Sequence, residues 1–427
     1  MAGMRILGFY AFVCIAVTAP AATLDGVWGV TITRFGEPQY QRVTLHTSGE
    51  KLTGESGDMT IEGTAQGDAV TFSVKKKDGK VNGEFKGTML EGVLIGTAKM
   101  GDEAVSWTAQ RLVKPSGKPE AHRFMPRTFH REFSSEIAPA MRIFPGDSVS
   151  TWTVDAGGRD ANGRRRSLGG NPLTGPFYVE SAWPGDTLVV RFTRIRLNRD
   201  TAESGDGISG GALDPYYFKF DVKGVDNFDS AWQLDREHGI ATLKNPTEKL
   251  KNFSVKLAPM LGCVGVAPPG HDALRSGHLG SFGGNLDYNQ IREGVTMYFP
   301  VYHPGALLFV GDGHAVEGDG ELTGDALETS MDVEFTVDVI QGQSADMPRA
   351  ENGDYLMALG IGNSLTDALQ TATTNLSQWL ERDYKLSANE VAMVLGTSMR
   401  YDIAEVVDPE VNVVAKVPKS VLSQLRQ

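Results

Sequence analysis

The chain has 427 residues, enough for two or three domains and a large core. A formal net charge of −12 and a pI near 5.2 argue against nucleic acid or an anionic membrane surface as partner. Composition is otherwise ordinary for a globular protein, except that 50 glycines set among short apolar runs favour β structure with tight turns.

From the amino terminus, Arg5, the apolar run Ile6 to Val17 and the Ala19-Pro20-Ala21 pattern predict a secretory signal peptide over residues 1–22. Cleavage near Ala22 or Thr23 would deliver a secreted or periplasmic protein. No later run approaches the ~18 apolar residues of a membrane span. Cys14 would leave with the signal, so Cys263 remains alone and no intrachain disulfide can form. Its setting, Met260 to Val266, is apolar and reads as a buried structural thiol.

Residues 23–113 predict a small antiparallel β domain. Short, partly alternating runs such as Gly26 to Thr33, Arg42 to Thr47, Asp68 to Val74 and Val105 to Gln110 are separated by polar turns. That spacing implies a meander closing into a barrel-like domain. Four phrases share an apolar first and a glycine third position: Leu52-Thr53-Gly54-Glu55, Ile61-Glu62-Gly63-Thr64, Val81-Asn82-Gly83-Glu84 and Leu94-Ile95-Gly96-Thr97. The domain carries no chemical cluster. Residues 114–119, Lys-Pro-Ser-Gly-Lys-Pro, read as a linker.

Residues 120–427 then form a second, β-rich domain. Pro145-Gly146-Asp147 and Pro184-Gly185-Asp186 each precede a strand-like run, and Tyr298 to Tyr302 and Met331 to Ile340 continue the pattern. Gly305 to Val310 reads as a buried strand. It leads into Gly311 to Glu321, where Asp312 and His314 precede the alternating carboxylates Glu317, Asp319 and Glu321. Hard oxygen donors with one imidazole suit a divalent metal or acid–base chemistry, and the interspersed glycines let backbone approach whatever is bound. Towards the carboxyl terminus the period changes to helical. Leu365, Ala368, Leu369, Ala372, Leu376 and Leu380 share one stripe, and Ser387-Ala388-Asn389-Glu390 matches a capping box. The class is therefore mainly β with a few C-terminal helices.

Several segments in order resemble the acetamidase/formamidase family. They are Gly175-Pro176-Phe177-Tyr178-Val179-Glu180, Trp183 to Leu188, Gly262 to Pro268, Gly283-Gly284-Asn285-Leu286-Asp287, Pro304 to Leu307 and Gly311 to Glu321. The likeness covers residues 120 to 410. It implies hydrolysis of linear amides, formamide- or acetamide-like or larger, to a carboxylate and ammonia, with a metal ion. A mixed His and carboxylate set leans to zinc without excluding calcium. The alternative is a non-catalytic surface or binding protein on the same scaffold; self-association into a homo-oligomer is left open.

An amide is a poor electrophile, so a metal that polarises its carbonyl and a carboxylate that moves the water proton are the parts to look for. Asp312 and His314, two apart, project the same way from an extended segment and are the first expected ligands. Asp287, and Asp155 at the end of an apolar strand, complete the expected set. Glu321 and Glu317 are the expected general base or supporting carboxylates, with Asp319 a further candidate. Asn285 and His278 are expected to meet the substrate. Arg164 to Arg166, in the loop Gly157 to Gly170, are placed to shape the pocket mouth. No Gly-x-Ser-x-Gly elbow or P-loop appears.

Overall fold

The computed structural model describes residues 24–113, 117–224 and 228–425, so the expected signal peptide and the first half of the expected linker, residues 114–116, lie outside the described residues. The chain divides into two compact units between Arg111 and Leu112.

Eight antiparallel strands, from Gly26–Arg34 to Glu103–Arg111, each pair with the next in sequence, and the first pairs with the last to close a barrel. The turns that the sequence marks are the hairpin ends, and inward positions alternate along each strand. The lumen is filled by side chains rather than open. Phe72 and Phe85 stack at 4.9 Å, and Trp107 meets both edge-on at 5.7 and 5.6 Å. The repeated phrases now have a physical meaning. Leu52, Ile61 and Leu94 point inward and are buried, and the glycine two residues later faces the same way. A Cβ on Gly54, Gly63 or Gly96 would overlap the neighbouring strand's backbone, so glycine is what lets the strands coil tightly enough to close. Val81 departs from the pattern and is exposed.

The second unit is built mainly on two large sheets. In one, the long strands Thr187–Leu197 and Met331–Ile340 pair side by side, flanked by Ser148–Trp152 and Thr296–Pro300. In the other, Leu308–His314 lies between Leu173–Val179 and Met260–Gly265. They meet through one apolar core; Phe177 of one sheet packs edge-on against Phe335 of the other at 5.2 Å. Both Pro-Gly-Asp turns work alike. Gly146 and Gly185 take φ of 95° and 92°, and Asp147 and Asp186 accept hydrogen bonds from the backbone N–H three residues earlier, Phe144 and Trp183, at 2.9 and 3.0 Å.

The expected helices form over Leu365–Tyr384 and Ala388–Ser398. Ser364 caps the first by accepting from Asp367 N, and Ser387 with Glu390 makes the full capping box of the second. The buried face of the first helix is Ala368, Ala372, Asn375, Leu376, Trp379 and Leu380. Leu365 and Leu369, expected on the core stripe, are exposed instead, because the helix packs on its sheet through the Ala368–Ala372 side, where Gly360 admits it closely. No helix among the described residues is long and apolar enough to cross a membrane.

Candidate metal centre

The buried strand runs further than the apolar pattern suggests. It spans Leu308–His314, every residue of it buried, so Asp312 and His314 belong to the strand. The interspersed glycines do not face the cluster. Gly311 is pressed against Pro172 and Leu173, and Gly313 against Met331 and Thr329, so they allow close sheet packing behind the site. It is the glycine of the neighbouring strand, Gly262, that forms the floor. A Cβ there would overlap Asp287 Oδ1 and stand 2.8 Å from Asp312 Oδ2 and 3.0 Å from His314 Cε1.

His314 is the centre of the group. Its Nδ1 is 2.8 Å from Glu317 Oε2 and 4.0 Å from Asp287 Oδ1. Its Nε2 is 3.0 Å from Glu328 Oε1, without the alignment of a hydrogen bond, and 3.7 and 3.9 Å from Asp312 and Glu321. Glu328 is His314's direct partner on the adjacent short strand, which is why it arrives there. Asp287, His314, Glu317 and Glu321 converge as one set of candidate ligands, and Asp312, His314 and Glu328 as another. Beside them Asp287 also converges with Glu405 and Asp408, delivered by the carboxyl-terminal segment, whose Ala404 carbonyl accepts from Gly320 N at 3.0 Å.

Three of these carboxylates sit on backbone that L-residues rarely adopt: φ is 36° at Asp287, 55° at Asp312 and 44° at Glu321. Such conformations cost on the order of 1 kcal/mol or more each and gather at functional sites. The electrostatics are equally unfavourable without a cation. Burial and neighbouring negative charge push Glu317 up to about 7, Glu328 to about 8 and Glu321 to about 10. Asp287 is pushed well up by burial and by Glu321 and Glu317. Burial would lower His314, but Glu328 and Asp312 outweigh it and raise it well above the usual imidazole range. Asp287 Oδ1, Asp312 Oδ1, His314 Nε2, Glu317 Oε1 and Glu328 Oε2 are buried with no hydrogen-bond partner among the described residues. Among the described residues no lysine or arginine ion-pairs with any of these carboxylates. Buried, orphaned oxygens of like charge around one imidazole are a donor set that could hold a divalent metal ion.

The other expected residues divide. Asp155 does not join either set. Its Oδ2 takes Arg199 at 2.7 Å and its Oδ1 takes Arg159 N at 2.7 Å, so the carboxylate is spent on a buried ion pair and a loop turn. Asn285 has no N–H left for a substrate: its Nδ2 donates to Asp287 and, at 2.7 Å, to Asp408. Its Oδ1 accepts from Cys263 Sγ at 2.7 Å and from Asn171 Nδ2 at 3.2 Å. Asn285 therefore positions carboxylates. His278 is partly exposed, its Nδ1 3.2 Å from Glu410, outside both sets. Asp319 is exposed and accepts from Asn289 at 2.7 Å. Arg166 pairs with Asp160 at 2.7 Å and is in neither ligand set, and Asn171, just past the loop, donates to Asn285. Glu328, Glu405 and Asp408 were not singled out from sequence, since strand register brings in the first and the distant carboxyl-terminal segment the other two. Cys263 is fully buried, and burial together with Asp312 pushes its thiol well up.

A β-rich scaffold enclosing a buried imidazole–carboxylate cluster is thus the class that fold and site define. The Acetamidase/Formamidase family profile matches residues 270–424, which include every clustered carboxylate and His314. The chain is 26% identical to the acetamidase of Mycolicibacterium smegmatis over 353 residues, 63% of this chain and 85% of that protein. It is 24% identical to the formamidase of Methylophilus methylotrophus over 199 residues, 35% of this chain and 47% of that one. The chain spans about half the length of the curated formamidases it matches. The crystal structure of a recombinant predicted acetamidase/formamidase from Thermoanaerobacter tengcongensis superposes with a TM-score of 0.62 at 26% identity, covering 72% of this chain and 99% of that one. Within the second unit, residues 270–424 are therefore similar to the acetamidase/formamidase family.

Proposed function

We propose that this chain hydrolyses linear amides to a carboxylate and ammonia, using a divalent ion, zinc or calcium, held by Asp312, His314 and Glu328, with Asp287 beside them. The reading is supported by relatives named acetamidase and formamidase. The observation that carries it is the set of buried, unpartnered carboxylate oxygens around His314. Bound there, such an ion would polarise an amide carbonyl and make a water acidic.

The chain's own groups supply the rest. Glu317 holds His314 Nδ1 through one oxygen, and its other oxygen is buried with no hydrogen-bond partner among the described residues. In this reading that oxygen accepts a proton from the attacking water and returns it to the departing nitrogen. Glu321 is anchored by Ala326 N at 3.0 Å and lines the same wall as a fixed negative group. Asn285 keeps Asp287 and Asp408 in place. Export through the amino-terminal segment would put this chemistry outside the cytoplasm.

The test is ammonia release from formamide, acetamide and longer primary amides, with and without chelator. We expect release that chelation abolishes and added zinc or calcium restores. Turnover untouched by exhaustive chelation, in protein shown to be metal-free, would refute the metal role.

A further inference from the structure

Resting on the amidase reading, we propose that the substrate is a primary amide whose acyl group carries an aromatic ring or a branched apolar chain. The pocket beside the cluster is the reason. A cavity of about 480 Å³ has Glu317 and Glu321 in one wall. Its remaining surface is largely apolar, with Trp232, Val255 and Leu327 forming the body and Phe253 and Leu322 the mouth.

Its shape is held by specific contacts. Trp232 Nε1 donates to Ser204 Oγ at 3.0 Å, so the indole's polar edge is satisfied and its rings remain to line the cavity. Phe253 meets Trp232 edge-on at 6.2 Å. Phe253 and Leu322 are each nearly half exposed, at 45% and 44%, although they are large and apolar. Ser209 N donates to the Leu322 carbonyl at 2.7 Å, tying a segment with exposed Tyr216, Phe218 and Phe220 to that side. The cavity therefore joins the Glu317–Glu321 segment to apolar surface open to solvent.

Volume decides between substrate classes. A cavity of this size is in the range that accommodates ligands of many atoms. Acetamide, with one methyl beside its carbonyl, would leave most of it to water held against unresponsive apolar walls. An amide with its N–H groups towards Glu317 and Glu321 and a ring over Trp232 would displace that water, and the burial would strengthen binding. A larger cavity of about 670 Å³, over Trp152, Arg166 and Glu334, shares none of the cluster's residues and offers no such continuity.

The experiment compares kcat/KM for phenylacetamide and acetamide in the full-length protein and in two variants outside the carboxylate cluster. Val255→Trp fills the cavity; Phe253→Ala, at the exposed mouth, removes a wall at little risk to folding. In the unmodified protein we expect phenylacetamide to be preferred by about 100-fold. Val255→Trp should cut phenylacetamide turnover at least about tenfold and lower its preference over acetamide by a similar factor. Phe253→Ala should reduce the preference in the same direction. Acetamide turned over as well as phenylacetamide, or a preference unmoved in both variants, would overturn the pocket assignment while leaving the amidase reading intact. Folded, metal-loaded protein that turns over neither amide would refute the amidase reading itself, and this inference with it.

Discussion

Single residues show most directly why the site is where it is. Gly262 matters for the space it leaves. Glycine is required because any side chain would enter the volume shared by Asp287, Asp312 and His314. Gly262→Ala should therefore lose bound metal and amide turnover while the fold persists. Metal analysis alongside circular dichroism would check this, and a variant that keeps its full metal content would show that the cluster can open. Asp147 illustrates a structural carboxylate. Burial would raise its pKa, but hydrogen bonds from Glu120 N, Phe144 N and His122 outweigh that and lower it. A carboxyl lowered on folding stabilises above its unfolded pKa of about 3.9, and that contribution fades as pH falls through the folded value. Asp147→Asn should thus flatten the fall of melting temperature below about pH 4, relative to the unmodified protein. Identical slopes between pH 3 and 6 would show that another group controls the acid limb.

Elements explain which parts of the site were legible. Asp312, His314, Glu317 and Glu321 lie within ten residues of one another, so local spacing alone places them together. Glu328 depends on pairing with His314 across a two-residue strand, and Asp287, Glu405 and Asp408 on loops and a distant strand. Register is fixed by tertiary packing, and nothing in one sequence displays it. Asp155 shows the converse error. A carboxylate at a strand end is as good a partner for a buried arginine as for a metal, and Arg199, forty-four positions away in sequence, could not be assigned to it beforehand. Helices were easier because their signals are local. Ser387 and Glu390 declare a capping box within four residues, and the structure forms both of its bonds. Ser387→Ala should accordingly cost about 1 kcal/mol in a urea titration of the second unit. A change of only a few tenths would mean that the helix end is held by its packing through Val391 and Leu395 instead.

At the scale of the whole molecule, the net charge of −12 misleads if read only as an acidic surface. Asp287, Asp312, Glu317, Glu321 and Glu328 are all buried in one cluster, so much of the imbalance is internal and belongs to the centre that a cation would neutralise. The division of labour between units is just as uneven. The barrel has its own filled core, made wholly of residues up to Ala109. The cores of the second unit begin at Phe133, and every clustered side chain and the apolar cavity lie beyond that point. Each unit thus buries its apolar surface within itself, which is the condition for folding alone. Residues 117–427 expressed without the barrel should fold, release ammonia from amides at a rate within about threefold of the full chain, and lose that activity to chelator. Residues 24–112 should unfold in a single cooperative transition of their own. A folded, metal-bearing 117–427 fragment that no longer turns over amide would show instead that the barrel takes part in catalysis, through contacts neither core requires.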